Sequence, residues 1–159
     1  MNEVHATVLV EAEPTRAFAL FTDEVDRWWR RGERYGGPEV TGHRFERHVG
    51  GRFLELRGED EAPLGRITVW DPPRRLAFTW RQSNWAPGEI TEVTITFAAE
   101  AGGAGGAGGT RVTLSHRGFA QIVSQVGCEV GYAAGWGELL GWYRDSIIEL
   151  TAPHGATIE

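Results

Sequence analysis

The stretch YAAGWGELLGWYRDSIIEL, residues 132–150, sets Tyr132, Trp136, Leu139, Leu140, Tyr143, Ile147 and Leu150 at steps of three and four. That is the repeat of one apolar helix face, so a long helix is predicted from about 130 to 151, with Pro153 beyond its end. Gly131, Gly135, Gly137 and Gly141 lie within it. Each costs about 1 kcal/mol relative to alanine in a helix interior. Something should compensate, most simply a close approach by packed protein or by a ligand.

Working outward from that helix, residues 38–119 read as successive strands. HVGG at 48–51, GEDEAP at 58–63, DPP at 71–73 and APG at 86–88 separate them as turns. Leu76, Phe78 and Trp80 share one face by period two, as do Val93, Ile95 and Phe97, then Val112 and Leu114. The expected product is an antiparallel meander with one apolar face. AGGAGGAGG at 101–109 joins TEVTITF (91–97) to TRVTLSHRGF (110–119) and offers no side chain to pack. It reads as a flexible hairpin tip. A phosphate-binding loop would lead into a helix and carry a lysine, and this run does neither.

At the other end, Val4, Ala6, Val8 and Val10 alternate as in a half-buried strand. Pro14 suits a first helical position, and Ala17, Phe18 and Phe21 then form a stripe. Thr22 or Asp23 is expected to cap a second short helix that carries Val25, Trp28 and Trp29 and stops near Gly32.

The 159 residues suit one domain, 1–159, with a core over about 4–150. Hydrophobic residues at 41% and charged residues at 24% fit a globular chain. No apolar run approaches a membrane span and the N-terminus lacks a signal-peptide pattern, so a cytoplasmic location is expected. A net charge of -6 with scattered arginines argues against nucleic acid, and the pair Arg30-Arg31 is too short to make a phosphate-binding footprint. Cys128 is the single cysteine, which excludes an internal disulfide. There is no lysine, which excludes Schiff-base chemistry. Seven tryptophans must be buried or shown to a ligand.

The order strand, two short helices, six-stranded meander, long helix, together with PTRAFALFTD, DRWW, GGRF, GRITVWDPPRRLAFTW, TEVTITF, TRVTLSHRGF and YAAGWGELLGWY, resembles the START-like (SRPBCC) superfamily in its branch of activator of Hsp90 ATPase homologue 1-like proteins. The resemblance implies an α+β helix-grip fold, a curved seven-stranded antiparallel sheet wrapped around the long C-terminal helix. It also implies a cavity between them. Relatives use that cavity to bind lipids, sterols, polyketides or plant hormones, and some cyclise or dehydrate what they bind. The co-chaperone that names the branch carries a separate N-terminal domain, for which this sequence has no room.

Five histidines, His5, His43, His48, His116 and His154, show no helical ligand spacing. His43 and His48, an odd five residues apart, face opposite ways on an extended segment. No metal and no cofactor are therefore expected. Ser115 and His116 also point to opposite faces, so they form no nucleophile and base. His116 shares parity with Val112 and Leu114 and should face the cavity side. Glu55 shares parity with Phe53, but a bulge after Gly50-Gly51 would turn it outward, and a solvent-facing Glu55 is assumed.

Phe78, Trp80, His116, Trp136 and Tyr143 are the expected ligand-binding residues, with Trp80, His116, Trp136 and Tyr143 converging on one space. The leading reading is binding of a small apolar or aromatic molecule, with catalytic residues unassigned. Alternatives are a chaperone-linked or other protein-interaction role, for which Trp85 in SNWAPG should be exposed, and a cyclase or dehydratase, for which His116, Glu55 and the tyrosines are the available acid–base groups.

Overall fold

The computed structural model describes residues 3–29, 40–82, 85–100 and 108–151, with side chains of the last helix to Ile147. β1 (Glu3–Val10) buries Val4, Val8 and Val10 and turns His5, Thr7 and Leu9 outward. α1 (Pro14–Thr22) opens on a proline at its first position, where a missing N–H costs nothing, and buries Ala17, Phe18, Leu20 and Phe21. Thr22 closes this helix. Its hydroxyl donates to the Phe18 carbonyl at 2.9 Å. Hence neither Thr22 nor Asp23 caps α2 (Val25–Trp28), whose N-cap is Glu24 without a side-chain cap bond. The stop expected near Gly32 and the pair Arg30-Arg31 lie outside the described residues.

β2 (Gly42–Phe45), β3 (Arg52–Arg57), β4 (Asp60–Asp71), β5 (Arg75–Trp80), β6 (Thr91–Glu100) and β7 (Gly109–Arg117) form the meander. With β1 they make one seven-stranded antiparallel sheet in the order β1-β7-β6-β5-β4-β3-β2. GEDEAP is a tighter turn than expected. Only Gly58 and Glu59 turn, and Pro63 already pairs with Leu54 inside β4. Residues 101–107 of the glycine-rich tip lie outside the described residues, and its flanks Glu100 and Gly109 pair.

β4 bends the sheet. Phe53 pairs with Gly65 and Leu54 with Pro63, so Leu64 is an extra residue. Ile67 pairs with Phe78 and Val69 with Ala77, so Thr68 is a second. Each bulge adds local twist and curvature. Gly65 is required at the first one, because a Cβ there would stand 1.6 Å from the Thr79 carbonyl oxygen.

After a 3-10 turn (Phe119–Gln121), α3 (Glu129–Thr151) packs on the apolar face of the sheet. Trp136, Leu139, Leu140, Tyr143 and Ile147 are buried against the sheet's inner residues, Leu76, Phe78, Val93, Ile95, Val112 and Leu114 among them. The Tyr143 hydroxyl donates to the Ala17 carbonyl at 2.6 Å and ties α3 to α1. The Leu150 side chain and Pro153 lie outside the described residues. At three of the helix glycines the expected close approach by packed protein is corrected: apart from the helix's own backbone and the adjoining residues, no described atom comes within 4 Å of a Cβ at Gly131, Gly137 or Gly141. Among the described residues no helix is long and apolar enough to cross a membrane.

Candidate functional site

Between the first half of α3, the end of α2 and strands β2 to β5 lies a pocket of about 300 Å³. Three tryptophans wall it, each from a different element. Trp29 follows α2, Trp80 ends β5, and Trp136 stands on α3. Trp29 stacks toward Trp80 at 6.3 Å between ring centroids, and Trp136 meets the two edge-on at 5.9 and 5.5 Å. Leu139 adds an apolar contact, and so does Leu64, the residue that the first bulge of β4 sets out of register. Gly131 and Gly135, one helical turn apart, leave this side of α3 without side chains, and the exposed Gly131 marks the rim.

The polar lining comes mainly from β2 and β3 and from the chain just after β5. His43 and Glu55 are directly opposed across the β2–β3 ladder and share the pocket face. The His43 ring stacks on Trp29 at 4.6 Å, while its backbone N–H donates to Asp26 Oδ1 at 3.1 Å. Glu55 is buried, only 8% exposed, which corrects the solvent-facing assumption. The bulge sits in the partner strand β4, so the alternation of β3 runs unbroken from Phe53 to Glu55. Arg57 donates to Glu55 through Nε at 3.1 Å and a terminal nitrogen at 2.9 Å, both bonds ending on Oε1. Tyr132, Gln82 and Cys128 complete the lining. The Tyr132 hydroxyl accepts from Trp80 Nε1–H at 2.9 Å, and burial pushes its pKa up. Trp29 Nε1–H, fully buried, has no hydrogen-bond partner among the described residues.

His116 sits behind this wall. Trp136 Nε1–H donates to its Nδ1 at 2.9 Å, which places the imidazole proton on Nε2. Nε2 in turn bonds Thr91 Oγ1 at 2.7 Å, and that hydroxyl donates to the Trp80 carbonyl at 3.0 Å. Every polar atom of the chain is used. Burial holds the His116 pKa down at about 3, so the ring is neutral. Protonation would set an Nδ1–H against the indole N–H. The group is thus built to orient Trp80 and Trp136, and both ring nitrogens of His116 are engaged within the protein.

Of the residues expected at the site, Trp80 and Trp136 line the pocket. His116 touches both rings from behind, at 6.2 and 5.8 Å. Phe78 packs against Phe45 and Phe53 in the core, and Tyr143, two turns beyond Trp136, packs with Phe21 and Trp28. The expected four-residue wall is therefore narrower. Sequence reasoning left out Trp29, His43, Leu64, Gln82 and Tyr132 as lining residues. Tyr132 was within reach, since it precedes Trp136 by four on one helix face. Trp85 is buried at 5% exposure and packs on Tyr132, so the exposed contact residue expected there is corrected. Among the described residues no three of His, Cys, Asp and Glu gather as metal ligands would.

Comparison with known proteins follows the same lines. The family model described as activator of Hsp90 ATPase homolog 1-like protein matches residues 11–141. No curated protein matches the sequence. Among solved structures, the chain is similar to an anthrahydroquino-γ-pyrone synthase, Txn09, at 30% identity and a TM-score of 0.60, covering 91% of this chain and 96% of that one. A protein from Mesorhizobium loti gives a TM-score of 0.69 at 17% identity, over 95% and 99% of the two chains. An HSP90 activator from Plasmodium falciparum gives 0.62 at 19%, over 87% and 89%.

Proposed function

This chain belongs to the activator of Hsp90 ATPase homolog 1-like family, and on that premise we propose that it binds a small, flat aromatic molecule in the pocket between sheet and α3. The observation that carries the reading is the convergence of Trp29, Trp80 and Trp136 on a space of about 300 Å³. Ligand sites are mostly apolar with a few placed polar groups, and this volume suits a two- or three-ring molecule. The 30% identical relative, a synthase named for anthrahydroquinone chemistry, supports an aromatic ligand. Calorimetric titration with 2-naphthol tests it. One saturable site is expected, weakened about tenfold or more by Trp80→Ala, since a buried aromatic contact carries about 1–3 kcal/mol. Absence of a saturable site sinks the reading.

A protein-contact role is the second reading, favoured by one observation. Val123 and Val126, in the segment that leads into α3, and Val130, in its first turn, are 73%, 86% and 74% exposed. If this surface serves an Hsp90-type chaperone, adding the chain should raise that chaperone's ATPase rate, and Val126→Ser with Val130→Ser should remove the effect. No change on addition rules the role out.

A further inference from the structure

We infer that the pocket selects aromatic ligands bearing a hydroxyl group, a phenol or enol, and that Glu55 is the residue that reads it. The inference rests on the pocket being a ligand site. Burying a carboxylate is costly unless its oxygens are hydrogen-bonded. Glu55 Oε1 receives both Arg57 bonds, whereas Oε2 has no hydrogen-bond partner among the described residues. The carboxylate lines the pocket at 8% exposure, so a donor brought in by a ligand is the natural complement.

A neutral donor fits better than a cation, because Arg57 already balances the charge of Glu55 at 2.9 Å. The three indole walls accept a flat ring on which that hydroxyl would stand. Of the α3 lining, Gly131, Gly135 and Leu139 offer no side-chain hydrogen bond and Tyr132 offers a neutral hydroxyl, whereas Glu55 on β3 offers a charged acceptor. A hydrogen bond to an ionised acceptor is roughly twice as strong as a neutral one.

The test compares 2-naphthol with 2-methoxynaphthalene, which keeps the rings and removes the donor. Calorimetry on the wild-type protein should show the naphthol binding about tenfold more tightly or better. Glu55→Met keeps the side-chain length and removes the acceptor, so it should bring the two compounds within about twofold of each other. Equal binding to the wild type overturns the inference and leaves the pocket reading standing. A preference that survives Glu55→Met also overturns it, as does tighter binding of 2-naphthylmethylammonium than of 2-naphthol. Failure of both naphthalenes to bind overturns the inference and the pocket reading together.

Discussion

At the scale of single residues, His116 shows how a histidine in a candidate site becomes part of the frame. Its ordinary pKa of 6.5 falls to about 3 on burial. Between those values the unfolded chain holds a proton that the native ring refuses, so stability rises with pH across that window and is complete above about 6.5. Acidification should therefore weaken the fold well before the carboxylates join. Glu46, held by Arg52, and Glu89, held by the Ser124 hydroxyl and by backbone N–H groups, both lie near 2, so their stabilisation is complete above about 4.5 and is lost only as pH falls below it. Denaturant unfolding between pH 7 and 5 should show stability falling in the wild type, with a flatter profile in His116→Leu. That variant should also lose about 2 kcal/mol or more at pH 7, because it strands the Trp136 N–H. An unchanged pH profile would show that another group titrates there. Parity placed His116 on the inner face. Its partners, Thr91 and Trp136, come from a neighbouring strand and a helix, and no spacing in the chain announces them. Trp85 illustrates the opposite failure, since a tryptophan between Asn84 and Ala86 reads as loop while the fold lays it on Tyr132. Trp85→Ala should cost about 3 kcal/mol or more in unfolding experiments, and a stability loss below 1 kcal/mol would contradict its burial.

At the scale of elements, the strands and α3 were legible because their apolar residues keep one period from end to end. The bulges of β4 were not. The turn read at GEDEAP, 58–63, takes in Pro63, whereas the pairing with β3 and β5 shows one bent strand, DEAPLGRITVWD. Gly65→Ala should destabilise by about 2 kcal/mol or more, since the Thr79 carbonyl leaves no room for a methyl group. A neutral result would mean that β4 relaxes at the bulge. The glycines of α3 were visible, and the sequence left close packing against protein and approach by a ligand both open, because a sequence distinguishes neither a neighbour from a void nor a wall from a rim. Gly137 is exposed and a Cβ there meets nothing within 4 Å. Gly137→Ala should stabilise the helix by about 1 kcal/mol and raise the melting temperature by roughly 2–4 °C. A fall would reveal a contact at that position.

At the scale of the whole molecule, the fold turns two unremarkable features into one site. A bent sheet leaves space beneath the N-terminal half of α3, and the missing side chains at Gly131 and Gly135 keep it open on the helix side. Trp29, His43, Glu55, Trp80 and Trp136 reach that space from four elements and one element end, which is why only Trp80 and Trp136 were foreseen. The same arrangement offers the most direct test of the central claim. Gly131→Leu places a side chain into the rim of the pocket, where a built Cβ finds open space, and leucine is a better helix former than glycine. Calorimetry with 2-naphthol on this variant, checked for a melting temperature at or above that of the wild type, should show the saturable site of the wild type lost or weakened at least tenfold. Undiminished binding by the folded variant would contradict the account and place the ligand elsewhere.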